Sequence, residues 1–246
     1  MTAEVHIWKE RTVDSGFVNG AVDALEQTLD PQLDFDVDAY DEASSHESFE
    51  RNNSDWDSIL DNFKDYVIEK YGCPSDKEYH MLIIDHDYDN VGAGASRGNV
   101  NGPWDPFENA GCSDTKAALG GVNAATKAYE DSTWCYGGHG AEAFEGTVIH
   151  EALHGLNNAA NYSMPSDDCD WDHSDEHSLG VIYVGESYDP VSPLRLWYTD
   201  EYCSGNPAPC DTCNGYVDAT GNNIWNDELS RCEVDRTEAY ASDHNL

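Results

Sequence analysis

The first half of the chain alternates short apolar strands with amphipathic helices, and this order constrains the fold more than any other feature. Strand patterns lie at residues 5–8, 33–37 and 80–85, and apolar residues at helical spacing lie between them at 16–29 and 54–71. A strand–helix–strand–helix–strand order is typical of a sheet with helices packed on it. The sequence therefore predicts an α/β (α+β) fold with a mixed, twisted sheet.

The charge of the chain is strongly unbalanced. It carries 49 acidic against 12 basic residues, a formal net charge of −37. Phosphate binding needs a basic surface, so this composition excludes a nucleic-acid partner and disfavours an anionic membrane. In ordinary buffer such a charge destabilises a compact state by self-repulsion, whereas molar salt shortens the screening length to about 3 Å. The acidity is spread along the whole chain and resembles that of proteins from extreme halophiles, so we expect adaptation to high salt.

The cysteine content indicates an oxidising compartment. The count of eight is even, and four of these residues crowd into the segment from Cys203 to Cys232. The longest aliphatic run, residues 81–84, is too short to cross a bilayer. We expect a mature, secreted, extracellular monomer in which residues 1–246 form one domain. Its sheet-and-helix half spans 1–157, and an irregular, disulfide-tied half spans 158–246.

An HExxH motif, residues 150–154, lies in a predicted helix at 141–157. At about 100° per residue, His150 and His154 fall within about 40° of each other, on the side away from the apolar residues. Glu151, the next residue after His150, is displaced from it by one residue step of about 100° around the helix axis. Two imidazoles at this spacing can bind one tetrahedral Zn²⁺, and the neighbouring carboxylate can reach a metal-bound water. The glycine that follows, Gly155, would let the chain approach the metal closely.

The motif helix and the α/β half before it resemble the zincin metallopeptidases. The resemblance implies an active-site helix held against a sheet whose edge strand aligns the peptide substrate, with residues 85–100 as the candidate for that strand. It also implies zinc-activated water that gives its proton to Glu151, the general base, as it attacks a peptide carbonyl. The metzincin extension HExxHxxGxxH is absent, because Asn157 and Ala160 occupy the positions of its glycine and third histidine.

The third zinc ligand is open between His177, His173 and Glu176. We favour His177, because it borders an apolar turn at 179–182 that can fix its ring, whereas His173 lies in a run of acids. Glu176 stands 22 residues after His154, near the thermolysin-like distance, but its neighbours do not form a helical pattern. The predicted zinc ligands are therefore His150, His154 and His177.

These features together predict a secreted zinc-dependent endopeptidase that acts on a protein or peptide substrate. One alternative is a non-enzymatic, metal-stabilised extracellular binding or surface module, which would survive loss of Glu151. Another is a zincin that cuts only one partner or a cell-wall peptide. A structural Ca²⁺ also suits so acidic a chain, although the segment from Asp85 to Ser96 lacks the glycine and glutamate of an EF-hand loop.

Overall fold

The computed structural model describes residues 2–50, 56–75, 77–84, 122–127, 140–156, 216–217, 223–224, 229 and 231–244. Its strands are β1 (Thr2–Lys9), β2 (Asp36–Asp41), β3 (Glu78–Ile84), β4 (Val122–Lys127), β5 (Tyr216–Val217) and β6 (Asn223–Ile224). Its α-helices are α1 (Ser15–Asp23), α2 (Trp56–Lys70), α3 (Gly140–Leu156) and α4 (Arg231–His244). A π-helical segment (Ala24–Leu29) continues α1, and short 3₁₀ turns lie at Asp30–Gln32 and Glu42–Ser44.

Strands β1 to β4 form one sheet in the order β2-β1-β3-β4, and each described pair in it is parallel. Parallel strands of one sheet need crossover connections, which α1 supplies between β1 and β2 and α2 between β2 and β3. A separate antiparallel pair joins β5 to β6. The predicted α/β class is confirmed in this described part of the chain, whereas the sheet predicted to be mixed is parallel there.

The central strands β1 and β3 are buried on both faces, as a parallel sheet covered by helices requires. Successive side chains of a strand point to opposite faces. On one face Val5, Ile7 and Met81 pack with apolar residues of α1, α3 and α4. On the other face Trp8 and Leu82 pack with apolar residues of α2.

Most segments predicted in the first half are found with shifts of one to three residues, but the second strand is displaced. Alternation of apolar residues predicted it at 33–37, whereas β2 spans Asp36–Asp41 and residues 33–35 form a bend. Asp30 explains the difference, because its carboxylate accepts a hydrogen bond from the Val37 N–H at 2.7 Å. Phe35 is buried in the core without belonging to the strand.

The described end of the second half is more regular than the sequence predicted, since α4 is a helix of 14 residues. Tyr240 and Ala241 pack in the same core as α3, and the Leu229 N–H before the helix donates to the Gln32 side chain at 2.7 Å. The remaining positions of α4 are mostly charged or polar, which concealed its apolar face. Cys73 forms a disulfide. Within the described residues, no helix is long and apolar enough to span a membrane.

Candidate functional site

Helix α3 carries the complete HExxH motif and lies within one residue of its predicted bounds. Its apolar side packs into the core with the sheet through residues that include Phe144, Val148 and Ala152. His150 and His154 stand one turn apart on this helix, and their side chains lie outside the described part of the structure. His177, the favoured third ligand, also lies outside the described residues, as do His173, Glu176 and the predicted substrate-aligning segment at 85–100.

Tyr79 of β3 fixes α3 against the sheet. Its hydroxyl donates a 2.7 Å hydrogen bond to the backbone carbonyl of Glu151, and its ring lies over Gly155 one turn further on. A Cβ at Gly155 would lie 2.4 Å from Cε2 of Tyr79, well inside contact distance. The glycine therefore makes room for the Tyr79 ring, which gives it a packing role that the sequence analysis did not predict.

The side chain of Glu151 is almost completely buried, with 3% of the residue exposed. Burying a carboxylate is costly unless it is paired, hydrogen-bonded or bound to a metal, so glutamate is rarely found in this state. Because Tyr79 also holds the backbone carbonyl of this residue, the fold constrains both the backbone and the side chain of Glu151. The residue predicted as general base is thus held in an interior position on the motif helix.

A second group of ligand-type side chains lies on β1 and β3. His6, Glu78 and His80, here called the strand cluster, each place one ligand atom within 4.8 Å of the others. The register of the two strands produces this arrangement, because it sets Glu4 opposite Glu78 and His6 opposite His80. Each strand thus contributes one Glu-x-His pattern to the same face of the sheet.

Hydrogen bonds assign opposite proton positions to the two imidazoles of the strand cluster. Nδ1 of His6 lies 2.8 Å from Oε1 of Glu42, and since a carboxylate only accepts, Nδ1 carries a proton. The indole N–H of Trp8 donates to Nδ1 of His80 at 3.0 Å, so this nitrogen presents its lone pair. In their neutral forms, His6 has a lone pair on Nε2 and His80 a proton on Nε2.

Burial and aromatic packing hold both rings in place. His6 is 3% exposed and His80 is fully buried, and the two rings stack with centroids 4.7 Å apart. Burial, and then the neighbouring His6, keep the pKa of His80 well below its ordinary value, so His80 is neutral. Tyr40 stacks on His6, and the ring edge of Tyr71 contacts both histidines.

Two hydrogen-bond donors orient the side chain of Glu78, the carboxylate of the strand cluster. The backbone N–H of Ser75 donates to its Oε2 at 2.7 Å, and the Tyr71 hydroxyl forms a hydrogen bond with its side chain. Burial, followed by the charge of Glu78 and this hydrogen bond, raises the pKa of Tyr71. The cluster was not predicted from the sequence, because both strands have the pattern of apolar core segments. The repeated Glu-x-His pattern, at residues 4–6 and 78–80, was the available signal.

Comparison of the chain with protein-family models and with curated proteins found no match.

Proposed function

We propose that the protein is a zinc-dependent endopeptidase of the zincin type, with α3 as its active-site helix. The observation that carries the proposal is the HExxH helix itself, which packs against a parallel sheet and buries Glu151. The zincin resemblance implies this placement of the helix. The tether from Tyr79 to the Glu151 carbonyl supports it, because it fixes the motif relative to β3.

The proposed zinc ligands are His150, His154 and His177. Two imidazoles one helical turn apart form a ligand pair suited to catalytic zinc, and the buried carboxylate between them in sequence is left for proton transfer. Zinc bound by three protein ligands would activate a water molecule and polarise the carbonyl of the scissile peptide bond.

Glu151 is the proposed general base. Its carboxylate would accept a proton from the attacking water and then deliver that proton to the leaving amine. A buried side chain keeps a defined orientation toward its neighbours on α3, which proton transfer over hydrogen-bond distance requires. We extend the proposal to a secreted monomer that works on protein or peptide substrates in high salt, in keeping with its net charge of −37.

Hydrolysis of a quenched casein substrate in multimolar KCl tests the proposal, with Glu151→Gln compared against the wild type. Glu145→Gln is the matched control, because it makes the same chemical change on α3 outside the motif. Loss of a general base lowers the rate by about 10²- to 10⁴-fold. We expect this loss for Glu151→Gln, with zinc content retained, and wild-type rates for Glu145→Gln.

Equal activity of Glu151→Gln and the wild type would contradict the proposed role of Glu151. Absence of cleavage in the wild type, with zinc bound, would favour the non-enzymatic binding module or an enzyme restricted to one partner.

A further inference from the structure

The strand cluster lies on the face of the sheet opposite to α3. Strand residues two apart share a face, so His6 lies on the side of Trp8 and His80 on the side of Leu82, where α2 packs. Tyr79 points to the other face, where it contacts α3. Its two β3 residues, Glu78 and His80, also lie at the start of that strand, whereas substrates of parallel sheets bind beyond the carboxyl ends of the strands. It is therefore separate from the proposed peptidase site and does not depend on it.

Carboxylates from three neighbouring strands line up beside the cluster. The register sets Asp38 of β2 opposite Glu4 of β1, and Glu4 opposite Glu78 of β3. Like charges directly opposite each other destabilise a sheet. A bound cation would relieve this repulsion.

The imidazoles provide nitrogen ligands next to this row of acids. Nε2 of His6 and Nε2 of His80 are both buried and have no hydrogen-bond partner. The Glu42 carboxylate holds the Nδ1–H of His6, which is the arrangement that orients metal-binding histidines and makes them better ligands. Glu4 lies close by, with its Oε2 3.8 Å from Nε2 of His6.

We propose that His6, Glu78 and His80 bind one structural divalent transition metal of the zinc class, which joins β1 to β3. Mixed imidazole and carboxylate ligands suit this class of ion, whereas calcium and magnesium prefer oxygen alone. Nε2 of His80 and Oε2 of Glu78 are 4.0 Å apart, and two ligands of one zinc ion are separated by about 4 Å or less. All three ligand atoms lie within 4.8 Å of one another, so side-chain movements of about 1 Å would bring them to bonding distance.

The Trp8 hydrogen bond opposes metal binding at His80. Nδ1 of His80 accepts from Trp8, so the proton of the neutral ring is on Nε2. To bind the metal through Nε2, this proton must move to Nδ1, and the buried Trp8 N–H then loses its acceptor. Removing the indole donor should therefore tighten metal binding.

Cobalt titration of the full chain in multimolar KCl tests the site. The parent protein carries His150→Ala and His154→Ala, which removes the imidazoles of the α3 motif. Co²⁺ in a low-coordinate nitrogen-containing site has intense visible absorption bands, which distinguish it from Co²⁺ on surface carboxylates. We expect the parent to bind one Co²⁺ with such bands, and Glu78→Gln in this background to weaken binding by at least about tenfold. Glu69→Gln is the control, because its side chain is 71% exposed.

Trp8→Phe in the same background should bind Co²⁺ about tenfold more tightly, since the metal no longer competes with a buried donor. Absence of the absorption bands in a parent that is folded by circular dichroism would overturn the proposal, as would equal affinity of Glu78→Gln and Glu69→Gln. If Trp8→Phe binds Co²⁺ with unchanged or weaker affinity, His80 is not a metal ligand, and the proposed three-ligand site is overturned. None of these measurements depends on peptidase activity. A negative result for the strand cluster would therefore leave the proposed peptidase function unaffected.

Discussion

A methyl group at Gly155 tests directly whether α3 lies on β3 as described. In an exposed helix interior, alanine is favoured over glycine by about 1 kcal/mol, so helix propensity alone predicts that Gly155→Ala stabilises the protein. The structure predicts the opposite. The new Cβ would lie 2.4 Å from Cε2 and 2.8 Å from Cδ2 and Cζ of Tyr79. The ring cannot withdraw freely, because Tyr79 is 1% exposed and its hydroxyl is bonded to the Glu151 carbonyl.

The expected change in the free energy of unfolding of Gly155→Ala is the difference between two opposing effects. Overpacking a buried site costs about 1 to 3 kcal/mol, and so short a contact with a tethered ring belongs at the upper end. After the gain in helix propensity, Gly155→Ala should lower the free energy of unfolding by about 2 kcal/mol. Gly20→Ala in α1 is the matched control, because its Cβ would meet Phe144 at an ordinary 3.7 Å. It should raise the free energy of unfolding by about 0.5 to 1 kcal/mol.

Urea unfolding in multimolar KCl, followed by circular dichroism at 222 nm, measures both variants. Opposite signs for Gly155→Ala and Gly20→Ala are the expected result. A Gly155→Ala variant as stable as the wild type, or more stable, would refute the described packing of α3 on Tyr79.

Two further predictions concern the stability of the fold. Tyr79→Phe removes the hydrogen bond to the Glu151 carbonyl and should lower the free energy of unfolding by about 1 kcal/mol, less than Gly155→Ala does; an unchanged urea midpoint would show that the bond adds nothing to stability. Dialysis into low salt should unfold the wild type, because the repulsion among charges that sum to −37 is then unscreened. A full helical signal at 222 nm after dialysis would contradict the proposed adaptation to high salt.

Much of the first half could be predicted from the sequence, because its apolar residues recur at the periods of strands and helices. The limits of β1, β3, α2 and α3 follow from these patterns to within a few residues. β2 could not be located as well, since the hydrogen bond between Asp30 and Val37 sets where the strand begins. That contact joins residues seven apart and leaves no periodic signal.

The two candidate sites differ in how far sequence could reveal them. The HExxH motif is local, so its helix could be predicted without knowledge of the fold, whereas the burial of Glu151 and its contact with Tyr79 depend on packing against β3. The strand cluster depends on the register that sets His6 opposite His80, and register between strands more than seventy residues apart is not encoded locally. Glu42, which orients His6, comes from a third segment of the chain.

The most direct test of the peptidase assignment is the rate at which the wild-type protein cleaves quenched casein in multimolar KCl, measured before chelation, after chelation and after zinc is restored. The proposal predicts cleavage that a chelator abolishes and that zinc brings back, with the fold still present by circular dichroism. Cleavage that survives complete removal of zinc would contradict the assignment of α3 as a zinc-dependent active-site helix.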